Sequence, residues 1–257
     1  MGKRLRKSDR HQRILAELRI YPTARALDLA EKFRVTSETI RRDLDELAQR
    51  GLVYRTYGGV VALSKAYEPG VNERERTMVG ERSRIGEKAA GLIQPGEVVM
   101  IDSGSSTTHF ARRLAERAIP LTVLTNRPAI AEYLSADKNV RVVLCPGNFS
   151  KAERCVHGPE TIAFLNRFHA TTAVIGIGGL TGKGLTDVDS EAAWIKRAMI
   201  DRSDRTIVLV DHMKYNLALL EVVCPLSSVD IVVGDTPPDS ELAETLHKAG
   251  VHFHLAP

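Results

Sequence analysis

From residue 98 onward, seven short apolar runs rich in β-branched residues, VVMID, LTVLTN, VRVVLC, TAVIGIG, TIVLVD, DIVVGD and VHFHL, are separated by stretches of helical periodicity. Few architectures bury strands and helices that alternate in this way; the pattern predicts an α/β domain whose sheet is largely parallel and covered by helices. Helices are expected near residues 81–93, 107–117, 128–135, 159–167, 190–202 and 240–249. In such a sheet ligands bind in the crevice beyond the carboxyl ends of the strands, and several of these runs end in glycines or small polar residues.

The first quarter of the chain is of another kind. Residues 1–58 carry 14 Lys/Arg against 8 Asp/Glu, and residues 59–257 carry 22 against 24, so the net charge of +4 comes entirely from the N-terminal part. A basic head on a near-neutral body suits a polyanionic partner, with a solvated basic face as the plainer alternative on charge alone. Ser8 is placed to cap a first helix with Ile14, Leu15 and Leu18 on one side, broken at Tyr21-Pro22. A second helix, ARALDLAEKF, is expected to bury Ala26, Leu27, Ala30 and Phe33. Thr36 suits the N-cap of a third, SETIRRDLDELAQR, which Gly51 ends, and LVYRTYGGVV reads as a hairpin. Residues 8–63 are thus expected to form a winged helix-turn-helix, its motif at about 24–43; residues 64–80, a linker; and residues 81–257, the α/β domain.

At about 100° per residue, Leu44 and Leu47 fall within about 40° of Ile40, while Glu38, Thr39 and Arg42 lie on the far side. The start of this helix enters the major groove in such motifs, so Ser37, Glu38, Thr39 and Arg42 are candidates for base edges, with the capping Thr36 beside them. Arg41 on the flank, and Arg55 and Tyr57 on the wing, suit phosphate contacts with double-stranded DNA.

In the body, Asp102, Ser103, Gly104, Ser105, Ser106, Thr107 and Thr108 leave a strand and open a helix. Small residues, hydroxyls and free amides there can cradle an anion; a plain Ser/Thr-rich N-cap turn is the alternative. No Gly-Lys-Ser/Thr follows, so it is not a Walker A loop. A second turn, GIGGLTGKGLTD, lacks the spacing of a dinucleotide fingerprint. No cofactor is expected. Cys145, Cys155 and Cys224 form no CxxC pair, which suggests neither a disulfide framework nor a thiolate metal site. No apolar run approaches the roughly 20 residues a bilayer needs, and the basic start leads into an amphipathic segment; a cytoplasmic location with no membrane partner is expected.

The run VTSETIRRDLDELAQRGLVYRTYGG resembles the signature of DeoR-type transcriptional regulators, the deoxyribose-operon repressor family, with matches at Val35, Thr39, Ile40, Arg41, Arg42, Asp43, Leu44, Gly51, Arg55, Gly58 and Gly59. The body resembles the effector domain of that family, which is similar in fold to ribose-5-phosphate isomerase and glucosamine-6-phosphate deaminase and binds phosphorylated sugars or polyols. The resemblance implies that residues 102–108 form a phosphate loop, that Asn126 lies in a T-N turn, that Gly178, Gly179, Gly184 and Thr186 belong to a second ligand-facing loop, and that Asp211 and Lys214 contact the effector. His212-Met213 stand where the family has two serines, Pro146-Gly147-Asn148 where it often has Gly-Gly, and Gly234-Asp235 where it has Thr-Asp.

An isomerase would need a carboxylate base at a strand end. The acidic turn of the isomerase relatives is replaced here by Ile175-Gly176-Ile177-Gly178-Gly179, although Asp187, Asp189 and Glu191 follow and keep an enzyme reading open. The favoured expectation is a regulator without catalytic residues: a repressor of a sugar or polyol operon, released by a phosphorylated sugar and working as a homo-oligomer, dimer or tetramer. Trp194 is expected in the core.

Overall fold

The computed structural model describes residues 6–20, 23–50, 52–56, 58–62 and 70–257. The chain divides into two compact units, Met1–Pro69 and Gly70–Pro257. Tyr21-Pro22, Gly51, Tyr57 and the linker residues 64–69 lie outside the described residues.

The first unit contains α1 (Lys7–Ile20), β1 (Thr23–Arg25), α2 (Ala26–Phe33), α3 (Ser37–Gln49), β2 (Val53–Thr56) and β3 (Gly59–Ala62). The expected hairpin is β2–β3, and β1 joins it in an antiparallel sheet ordered β1-β3-β2. Two details depart from expectation. Ser8 lies inside α1, which begins at Lys7. In α2 the buried stripe is Ala26, Leu29, Ala30 and Phe33, an i, i+3, i+4, i+7 set, and Leu27 is 68% exposed. In α3 the buried residues include Ile40, Leu44 and Leu47 as the helical angles predict, and Thr36 Oγ1 accepts the Thr39 amide at 3.2 Å. Asp43 is also buried there. Its carboxylate accepts from Arg10 Nη2 at 2.8 Å and lies 3.2 Å from His11 Nε2, which fastens α1 to α3.

The second unit begins with a short α4 (Val71–Arg74), so residues 70–80, expected in the linker, belong to the body. It continues through α5 (Val79–Ala90), β4 (Val98–Ile101), α6 (Ser105–Ala115), β5 (Leu121–Thr125), α7 (Pro128–Ser135), β6 (Val140–Leu144), β7 (Asn148–Ser150), β8 (Cys155–His157), α8 (Pro159–Leu165) and β9 (Ala170–Gly176). There follow β10 (Gly179–Thr181), β11 (Gly184–Asp187), α9 (Ser190–Asp201), β12 (Ser203–Val210), β13 (Glu221–Cys224), β14 (Ile231–Gly234), α10 (Ser240–Lys248) and β15 (His252–Leu255). The seven apolar runs form one parallel sheet, ordered β15-β14-β12-β9-β4-β5-β6.

Alternation along the central strands feeds two cores. Val99, Ile101, Val123, Val174 and Leu209 pack with Ile85 of α5, Phe110 of α6 and Leu134 of α7. Met100, Leu124, Ile175 and Val208 pack on the other face with Leu165 of α8, Met199 of α9 and Leu246 of α10. The three cysteines are buried, and burial pushes the Cys145 and Cys224 thiols up to about 12. Trp194 corrects another expectation: it is 56% exposed and its ring lies under the Arg197 guanidinium at 4.6 Å, because α9 turns Ala193, Lys196 and Met199 inward instead.

Candidate functional site

From β4 the chain proceeds outward to β5 and β6, then returns to lay β9 on the other side of β4. The connections leaving β4 and β9 therefore diverge, and the gap at their carboxyl ends is the switch-point crevice where this class of fold binds ligands. Asp102 pins the two sides together. Its Oδ1 accepts the amides of Gly104, at 3.2 Å, and of Gly176, at 3.1 Å.

The loop after Asp102 turns directly into α6. Thr108 N makes the first helical bond, to Gly104 O at 3.1 Å, so the amides of Ser105, Ser106 and Thr107 are the N-terminal donors of α6. The side chains of Ser105, Ser106, Thr107 and Thr108 are buried. Hydroxyls had been expected to donate to an anion. Instead Thr107 Oγ1 donates to the carbonyls of Asp102 and Gly104, and Thr108 Oγ1 to Gly104, each at 2.9 Å, because those acceptors sit one turn back. The two threonine hydroxyls are therefore engaged within the loop itself, which leaves its anion-binding capacity to the backbone amides and the serines.

Beneath this loop is an ion cluster that motif reading missed. Lys196 Nζ lies 3.1 Å from both Asp102 Oδ2 and Asp187 Oδ2, and all three side chains are buried. Burial disfavours the ammonium, but Asp187 and Asp102 outweigh it and hold its pKa well above the ordinary lysine range. The signal was a cation on an apolar helical stripe, Ala193-Lys196-Met199-Ile200. The three acids that kept an enzyme reading open all have structural partners. Asp187 is held by Lys196 and by the Val188 amide at 2.8 Å, Asp189 caps α9 through the Glu191 amide at 2.9 Å, and Glu191 pairs with His157.

The remaining expected residues divide into two groups. Asn126, Asp211 and Lys214 stand at the carboxyl ends of β5 and β12. Asn126 Nδ2 donates to Val156 O at 2.9 Å, and its buried Oδ1 has no partner among the described residues. Lys214 Nζ donates to Ile177 O, on the loop leaving β9. Asp211 faces Arg82 of α5 at 3.1 Å; burial would raise its pKa, but Arg82 and Lys214 hold it below the usual carboxylate range. The second group is framework. Gly178 N donates to Thr186 O at 3.1 Å, and Thr186 Oγ1 donates to Leu217 O and accepts the Leu219 amide, both at 3.1 Å. A Cβ on Gly179 would come 2.0 Å from Leu217 O, and one on Gly184, at φ +132°, 2.1 Å from Cys224 O. The glycine-rich turn is thus a tightly packed hairpin, β10–β11, continued by β13.

His109 of α6 is buried, and burial, then Arg112 and Arg82, push its pKa below the ordinary value of 6.5. The folded body keeps this imidazole neutral while the unfolded chain protonates it, so its contribution to stability is full above about pH 6.5 and is lost as the pH falls from there towards the folded pKa. Urea unfolding at pH 7.5 and 5.5, values bracketing about 6.5, should show a smaller acid loss in His109→Gln than in the wild type.

On the first unit, Glu38, Arg41 and Arg42 are exposed on α3, with Ser37 and Thr39 partly exposed at its start. Arg42 Nε is 3.3 Å from Glu38 Oε1 in a pair open to solvent. Arg55 is more committed: Nε donates to Asp45 at 2.7 Å and Nη1 to Gly59 O at 2.6 Å, which ties the wing to α3.

The chain matches two family models, the DeoR-like helix-turn-helix domain over residues 10–66 and the DeoR C terminal sensor domain over residues 77–236. It belongs to the DeoR family. It is a DNA-binding transcriptional regulator with a sensor domain. This DeoR-family chain is 29% identical to the glycerol-3-phosphate regulon repressor of Escherichia coli strain K12, over 98% of its own length and 100% of the relative. It is also 29% identical to the HTH-type transcriptional repressor GlcR of Bacillus subtilis, over 86% of its length and 85% of that protein. Among solved structures, ribose 5 phosphate isomerase A from Neisseria gonorrhoeae aligns at 16% identity over 53% of each chain, with a TM-score of 0.40. No helix among the described residues is long and apolar enough to cross a membrane.

Proposed function

We propose that this DeoR-family protein represses an operon for the use of a sugar or polyol, and that a phosphorylated metabolite of that compound releases it from DNA. The observation that carries the reading is that Asp102 Oδ1 holds the α6 N-cap Gly104 beside Gly176 at the β4/β9 switch point, while Lys214 Nζ donates to Ile177 O, the next residue along. A helix N-terminus with a lysine close by takes a phosphoryl group, and the polar ends of β5 and β12, with Asn126 and Asp211, suit hydroxyls of a sugar. The named role of the Escherichia coli relative, repression of a glycerol-3-phosphate regulon, supports the same ligand class. Thr36, Ser37, Glu38, Thr39 and Arg42 read the operator, with Arg41 and Tyr57 on phosphates. Helix-turn-helix heads act in pairs on half-sites, so the working form is a homo-oligomer, dimer or tetramer, in the cytoplasm with the DNA.

The ligand is coupled to the DNA by linkage: whatever factor it takes from operator affinity, the operator takes from ligand affinity. Thermal unfolding of the full chain with phosphorylated polyols and sugars, each beside its unphosphorylated parent, tests the class. At a hundredfold excess over Kd a true ligand adds about 2.7 kcal/mol, or roughly 5–10 °C for a body of this size. Lys214→Ala should lose most of that shift. Equal stabilisation by the unphosphorylated compounds would overturn the reading.

A further inference from the structure

Arg127 follows Asn126 at the end of β5, and its side chain is almost fully buried. Its Nη1 donates to Ser103 O at 2.8 Å, the carbonyl just before the α6 N-cap Gly104, and reaches Glu153 O at 3.4 Å. Its Nη2 holds the carboxylate of Glu75. Its Nε is buried and has no hydrogen-bond partner among the described residues.

Glu75 belongs to the segment that opens the body directly after the first unit ends at Pro69. Three side-chain ties fasten this strap, beside the backbone bond from Val71 N to Ala152 O at 3.3 Å. Glu75 meets Arg127, Arg74 meets Glu153 between β7 and β8, and the Arg74 carbonyl accepts from Arg82, which also grips Asp211 at 3.1 Å. Two of the three thus run through arginines whose other contacts are at the crevice, Ser103 and Asp211.

A guanidinium fork accommodates a carboxylate or a phosphate, and a buried one requires an anion. Glu75 supplies that anion from a partly exposed position, with about a fifth of its side chain open to solvent. A phosphoryl group on the α6 amides would lie next to the loop carbonyl that Arg127 already holds. We propose that Arg127 is a phosphate ligand of the sensor site and that Glu75 and the phosphoryl group are alternative anions for it. Binding then unfastens the strap that carries the DNA-binding unit. The proposal rests on the sugar-phosphate reading above and adds the residue through which occupancy reaches the linker.

The test is calorimetric titration of inorganic phosphate into the full-length wild type, Glu75→Gln, Arg127→Lys and the double variant, with hydrogen exchange read over residues 71–77. Removing the competing carboxylate should tighten phosphate binding about tenfold in Glu75→Gln, the worth of one charge-assisted hydrogen bond. Arg127→Lys should weaken it by a similar factor in either background, and phosphate should speed exchange in the strap of the wild type but not of Glu75→Gln, where the strap is already loose. Should Arg127→Lys fail to fold, the gain in Glu75→Gln decides alone. Unchanged or weaker phosphate affinity in Glu75→Gln overturns the exchange of anions at Arg127. Absence of phosphate binding in both proteins overturns it too, and the sugar-phosphate reading falls with it only when the phosphorylated compounds of the preceding test also fail to bind.

Discussion

Lys196→Met is expected to lower the thermal midpoint of the body by about 10 °C. The substitution keeps the volume but leaves Asp102 and Asp187 buried together without their shared cation. Removing one partner of a buried ion cluster costs about 3–5 kcal/mol, and each kcal/mol moves the midpoint of a domain of this size by about 2–4 °C. The loss should be local in origin. Asp102 Oδ1 holds Gly104 and Gly176 across the switch point, so a displaced carboxylate loosens both walls of the crevice at once. The triple variant Lys196→Met, Asp102→Asn, Asp187→Asn should recover most of the stability, because an amide oxygen still accepts those two backbone bonds and no charge is left buried. Melting followed by circular dichroism distinguishes the cases. A single variant as stable as the wild type, or a triple variant no better than the single, would show that the cluster does not hold the site together.

The second large effect belongs to the head. Arg42→Ala should weaken binding to the operator about 10- to 100-fold while nonspecific binding changes little, since one base-reading arginine is worth about 1–3 kcal/mol of discrimination. In the free protein Arg42 meets Glu38 in an exposed pair, worth at most a few tenths of a kcal/mol, which yields readily to a base edge. Arg41→Ala should act differently, weakening specific and nonspecific DNA alike and reducing the salt slope by about 1. Competition titrations at several salt concentrations separate the two, and uniform loss in Arg42→Ala would move the reading face elsewhere on α3.

The parallel sheet was readable because its central strands carry continuous apolar runs, and alternate residues of those runs feed the two cores. The helix-turn-helix was readable from Ile40, Leu44 and Leu47, whose angles put them on one side. What escaped has physical reasons. Strands β1, β7, β8, β10, β11 and β13 are three or four residues long and, unlike the equally short β4 and β14, do not form continuous apolar runs, so they give no periodic signal. Leu27 and Leu29 lie two positions apart on a short helix, and only packing decides which is buried. Trp194 looked like core by residue type, yet Lys196 occupies the inward place because two carboxylates wait for it. The Asp102–Thr108 run was legible as a turn that opens a helix, and its threonine hydroxyls bond within it, whereas the packing task of Thr186 and the arginines Arg82 and Arg127 depend on contacts between residues 24 to 129 apart. A cation placed on an apolar stripe, as at Arg82 before Ile85 and Ala89, is the one sign of such contacts that the sequence carries.

Under the proposed function, a phosphoryl group in the crevice of the body controls DNA binding by the head. Fluorescence anisotropy of a labelled duplex from the DNA upstream of its own gene, titrated with the full chain in the presence of each candidate sugar, tests it most directly. The expected result is sequence-specific binding that a phosphorylated sugar or polyol weakens at least about fivefold, the lower end of typical allosteric coupling, while the unphosphorylated parent does nothing. Operator affinity indifferent to every phosphorylated compound that binds the protein would contradict it.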